Sequence, residues 1–133
     1  MPKNDYWKLS AFEGAKLIRD GSISAEDLVS SCIERVNQTN NKINAIVDDL
    51  REPALEKAHE LDKLTKKGKF QGPLHGVPIT IKENIDQKGY ATPNGLEALK
   101  DLIAPGNAPV VDNLEKDGAI IIGRTNTPEF SMR

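Results

Sequence analysis

Ala119, Ile120, Ile121, Ile122 and Gly123 form one run of five residues with no polar interruption. A run that short and that apolar is the pattern of a strand covered on both faces. Such a strand needs cover above and below, and with 38% hydrophobic, 29% charged and only 5% aromatic residues the composition suits a helix-rich α/β protein. Upstream, residues 77 to 85 show a different period: Val77, Ile79, Ile81 and Ile85 share one parity, and Thr80, Lys82, Asn84 and Asp86 share the other. Alternation with period two predicts a strand with one buried and one polar face.

Between these strands, "YATPNGLEALKDLIAPGNAP" is rich in proline and glycine and reads as a surface excursion with one helical turn around 95 to 103. Asn107 is expected to cap a helix that has Pro109 near its start, Val110, Val111 and Leu114 as apolar positions, and Gly118 at its end. Strand, excursion, helix and strand make a crossover, so 77 to 85 and 119 to 123 are expected to run parallel in one sheet. Two strands leave that sheet unfinished. Ile120, Ile121 and Ile122 would then be partly wet, so the chain is expected to associate with itself or to be a piece of a larger protein.

The N-terminal half reads as helical. Ser10 with Glu13, and Ser24 with Asp27, have the spacing of capping boxes and predict helices over about 11 to 20 and 25 to 38. The second carries Leu28, Val29, Cys32, Ile33 and Val36 as an apolar stripe and is expected to end in the turn-forming "NQTNN". "INAIVDD" is a short apolar segment. A third helix from about Pro53 places Ala54, Leu55, Ala58, Leu61 and Leu64 on one face, with Gly68 past its end. "RTNTPEFSMR" reads as a loop and a new helix start, with Thr127 as cap, Pro128 at the first position and Glu129 in the first turn.

Charge and composition remove whole classes of function. Eighteen basic residues against twenty acidic ones give a net charge of −2, with no basic block, so nucleic acid has no electrostatic footprint. No apolar stretch is long enough to span a bilayer, and "MPKNDYWKLS" has no apolar core of a signal segment. Cys32 sits inside an apolar stripe, as a small buried hydrophobe would, and a single cysteine closes no disulfide within one chain. His59 reads as a surface residue with no second ligand at metal spacing. A soluble cytoplasmic protein with no metal and no membrane partner is expected.

Lys82 is the residue that alternation does not explain. On the polar side of a half-buried strand it is either a solvated charge or a lysine held neutral as a proton acceptor. "GPLHGVPITIKENID" from residue 72, followed after the excursion by "DNLEKDGAIIIGRTNTPEFSM", resembles the N-terminal part of the amidase signature family. The resemblance implies an incomplete α/β/α fold. Residues 1 to 70 would form a helical N-terminal layer, and residues 71 to 133 the first strand-helix-strand part of the core and the first strands of a mixed sheet.

It also implies a Ser-cisSer-Lys triad with Lys82 as general base, and places Asn126, Thr127 and Glu129 beside the active site as substrate-binding or supporting residues. The implied substrate is a small-molecule amide, with no cofactor. Glu83 stands where many members have aspartate. The family's serines lie in a downstream glycine- and serine-rich segment, and Ser10, Ser22, Ser24, Ser30, Ser31 and Ser131 are outside any such run. The chain is therefore expected to carry the base and to be inert alone. Two other readings stay open: a non-catalytic module that uses the helical layer to bind a partner, and an independent α/β binding domain in which Lys82 is a surface charge.

Overall fold

The computed structural model describes residues 1–132, with the side chain of Asn4 outside the description. A 3-10 segment, Lys3–Lys8, leads into α1 (Ala11–Arg19), α2 (Ala25–Ile43), β1 (Ile46–Asp49), α3 (Arg51–Thr65), β2 (Pro78–Lys82), α4 (Pro109–Lys116) and β3 (Ile120–Thr125). The expected capping box forms at α1, where the Glu13 amide donates to Ser10 Oγ and the Ser10 amide donates to Glu13 Oε2. Gly21, at φ 72°, turns the chain toward α2. Ser24 accepts the Asp27 amide at 2.9 Å. The two donors before it are met from another helix: Asp62 of α3 accepts the Ala25 amide at 2.7 Å and the Glu26 amide at 3.1 Å.

α2 does not stop at 38 but continues to Ile43. The asparagines that look like turn formers serve the helix and its exit: Asn40 accepts the Ile46 amide at 2.8 Å and donates to the Ile46 carbonyl at 2.9 Å. The left-handed Asn44 (φ 48°) ends the helix and delivers the chain into β1. α3 begins at Arg51, two residues before the expected start, and Pro53 lies in its first turn, where its missing amide costs no helical hydrogen bond.

α4 is also entered differently from expectation. Ala108 precedes it without a side-chain cap, and Pro109 opens it. Asn107 instead accepts the Lys88 amide and donates to Asp112 and Glu115, tying the excursion to the outer face of the helix. The excursion itself is organised by a bridge between Ala91 and Ile103.

The sheet order is β1-β3-β2, with β3 antiparallel to β1 and parallel to β2. The crossover from β2 to β3 thus has the expected sense. The strand in "INAIVDD" is the element that sequence reading lacks, and it overturns the picture of a β3 with one partner. β1 closes the other edge over Gly123 to Thr125, and Ile120, Ile121 and Ile122 are all buried. One side of the core joins Ile120 and Ile122 to Ile18, Leu28, Val29, Ala58 and Leu61 from α1, α2 and α3. The other joins Ile121 and Ile81 to Val111 of α4 and Leu50. Each buried isoleucine contributes roughly 1.5–3 kcal/mol relative to exposure, so β3 anchors both layers.

Candidate functional site

Lys82 is the last residue of β2 and lies beside Thr125 of β3. Ile81 is buried, and Ile79 packs with it in the α4-side core. Strand alternation therefore turns Lys82 to the opposite face, where it is half-buried and exposed Thr80 shares its parity. Among the described residues its amine makes no hydrogen bond or ion pair. The backbone after it turns at once: Glu83 donates its amide to the Thr125 carbonyl at 2.9 Å, and the Ile85 amide closes on the Lys82 carbonyl at 3.0 Å.

That turn places Asn84 in a polar cluster at the carboxyl ends of β2 and β3, the end at which open α/β sheets bind ligands. Asn84 Nδ2 donates to Ser131 Oγ at 2.9 Å, and Ser131 Oγ lies 3.0 Å from Thr127 Oγ1 and 3.3 Å from Asn94 Oδ1. Asn84 Oδ1 is buried and has no hydrogen-bond partner among the described residues. Two tight turns hold the cluster. Asn94 (φ 52°), Phe130 (φ 50°) and Ser131 (φ 57°) all adopt left-handed backbone, and the Phe130 amide donates to the Asn94 carbonyl at 2.9 Å. A Cβ on Gly95 would stand 2.6 Å from the Pro128 backbone, so the two turns touch through a gap that only glycine leaves open. Left-handed non-glycine residues are costly and cluster at functional sites.

The residues singled out from sequence part company here. Thr127 is buried in the cluster, but through Ser131 and not as a helix cap, because Pro128 flanks a short 3-10 turn, Glu129–Ser131, that has no side-chain cap. Asn126 is exposed and closes on the end of α2, its amide donating to the Ala45 carbonyl at 2.8 Å and its side chain to the Asn44 carbonyl at 3.3 Å. Glu129 is exposed and makes no side-chain hydrogen bond among the described residues. Asn84, Asn94 and Ser131 are the cluster members that sequence reading leaves out. The Asn94–Gly95 pair is the signal that finds the first turn. Arg124, buried on β3, carries no such signal.

Comparison with known proteins places this geometry in context. The family model described as Amidase matches residues 27–133. Over 132 residues the chain is 53% identical to an indoleacetamide hydrolase of Bradyrhizobium diazoefficiens, a match that covers 99% of this chain and 25% of that protein. It is 38% identical over 125 residues to a glutamyl-tRNA(Gln) amidotransferase subunit of Natranaerobius thermophilus, covering 94% of this chain and 26% of that one. Among solved structures, a fatty acid amide hydrolase superposes with a TM-score of 0.90 at 30% identity, over 96% of this chain and 23% of its own. The chain spans about a quarter of the length of the curated relatives it matches.

Proposed function

The chain belongs to the amidase family, and from that premise we propose that it is the lysine-bearing N-terminal part of an enzyme that hydrolyses a carboxamide, or transfers its ammonia, through a Ser-cisSer-Lys triad. Lys82 is the general base. The observation that carries this reading is the placement of Lys82 at the carboxyl end of β2, half-buried, on the face away from the Ile81 core and free of any acidic partner among the described residues. A lysine base must be neutral to accept a proton, and an ordinary lysine amine titrates near about 10.4, so a neighbouring carboxylate would work against it.

In the proposed reaction a serine oxygen attacks the amide carbonyl while its proton passes through the bridging serine to Lys82. The proton leaves with ammonia, the acyl group remains on the serine, and water releases it as a carboxylate. Identity to the indoleacetamide hydrolase supports an aryl acetamide as the substrate. Transamidation is the alternative that the amidotransferase relative supports.

The test is the reading frame in the source genome. Continued past Arg133 and expressed whole, it is expected to release ammonia from indoleacetamide, and Lys82→Ala is expected to lower that rate by at least about a hundredfold while leaving the fold intact. The isolated chain is expected to release none. A frame that closes at Arg133, with no turnover of any amide, would favour the non-catalytic partner-binding module instead. Turnover by the isolated chain that vanishes in Lys82→Ala would place a nucleophile within these residues.

A further inference from the structure

Arg124 has no exposed surface at all. A guanidinium so placed is costly unless its donors are met; here both terminal nitrogens are bonded, while Nε is buried with no partner among the described residues. Nη1 donates to Asp48 Oδ2 at 2.9 Å and to the Ala91 carbonyl, and Nη2 donates to the carbonyls of Glu83 and Ile85 at 3.0 and 3.1 Å. The Tyr90 ring lies 5.7 Å from the guanidinium carbon. One side of the fork therefore draws β1 and the excursion together, and the other holds the segment that leaves β2.

The register explains how an arginine on β3 reaches that segment. A one-residue bulge separates the Ile79–Ile121 pair from the Ile81–Arg124 pair, which returns Arg124 to the face of Ile121 although it follows three residues later. Lys82 is consequently bracketed by β3. Before it, Ile81 pairs with Arg124; after it, the Glu83 amide donates to the Thr125 carbonyl and the Glu83 carbonyl accepts from Arg124 Nη2. Lys82 points to the other face of the sheet, so the arginine reaches it through the backbone and not by charge contact.

We propose that Arg124 is a positioning residue for Lys82: its guanidinium clasps the Glu83 and Ile85 carbonyls and thereby fixes the backbone from which the lysine amine projects. The inference rests on the reading of Lys82 as the general base. A lysine at position 124 would keep the charge but lose the fork that serves both sides at once.

Two readouts on the full-length protein that contains these residues test it. The first is hydrogen exchange at the Glu83, Ile85, Gly89 and Tyr90 amides, all hydrogen-bonded. The second is competitive acetylation of Lys82 against exposed Lys67, read by mass spectrometry. Arg124→Met is expected to speed exchange at those four amides by about tenfold or more, while the Ile120 amide keeps its protection. Acetylation of Lys82 moves toward the rate of Lys67. Arg124→Lys is expected to fall between Met and wild type in both.

Equal acceleration at Ile120 in a folded Met variant, or an unchanged Lys82 acetylation rate, overturns the proposal. If the Met variant does not fold, the Lys variant decides: wild-type exchange and acetylation in it overturn the clasp, and partial loss in both upholds it. Neither readout needs turnover, so failure here leaves the amidase reading standing, and an inactive complete enzyme would leave the clasp standing.

Discussion

Burial holds the His75 imidazole below the ordinary histidine range, and its contacts show why. Nδ1 accepts the Gln71 amide at 3.0 Å, which leaves Nε2 to carry the proton between Thr65 Oγ1 at 2.9 Å and the Leu61 carbonyl at 3.2 Å. A second proton on Nδ1 would break the Gln71 bond and place a charge on a buried ring. As pH falls below 6.5 the unfolded chain takes up a proton that folded His75 resists, so stability is complete above 6.5 and drops as pH descends toward the depressed folded value. The slope from this residue is at most about 1.4 kcal/mol per pH unit. Urea midpoints between pH 7.5 and 5 should show the decline, and His75→Gln should flatten it; an unchanged slope in that variant would assign the decline elsewhere. Cys32 is quieter: half-buried against the helical core, its thiol is pushed up to about 11 by desolvation, which suits the packing role its apolar stripe implies.

At the scale of elements, the trans cap on α2 gives an ordering that can be measured. Asp62 accepts two amides of the helix start within the core, and Ser24 accepts one nearer the surface. Asp62→Ala is expected to cost about 2–3 kcal/mol and Ser24→Ala about 1, so the denaturant midpoints should fall in that order. The reverse order would show that α2 is started locally. Periodicity made β2 and β3 legible, because Ile79, Ile81 and the Ile120–Ile122 run state their faces outright. β1 was not legible, since Ile46–Asp49 is half acidic and its pairing with β3, where Asp48 meets Arg124, is a long-range contact that local pattern does not contain. The end of α2 was misread for a related reason: Asn40 bonds to Ile46, a partner that local propensity does not contain. Alternation and motif single out Lys82 in the sequence, whereas nothing there singles out Arg124. A buried arginine has the same letter as a solvated one, and its carbonyl partners are set by the fold.

For the whole molecule, burial of Ile120–Ile122 moves the ground for association away from β3 to the sheet's margins. β1 and β2 are the outer strands, Val47 of β1 is exposed, and Phe130 and Met132 are exposed in the turn after β3, so the chain is expected to associate with itself at micromolar concentration. Light scattering across a dilution series should give a mass above 14.6 kDa that falls on dilution. A monodisperse monomer with a cooperative melt would instead make these residues a folding unit of their own. The sheet order has one further consequence, which concerns birth rather than equilibrium. Asp48 and Arg124 meet across 76 positions of chain, so at about 5–20 residues per second a ribosome completes β1 roughly 4–15 s before its partner strand exists. Once α3 has followed, α2 and α3 can close on each other through Asp62 while β1, tied to α2 by Asn40, still has its hydrogen-bonding edge open. Nascent chains are thus most exposed to wrong strand pairing, and most in need of a chaperone, before β3 has emerged.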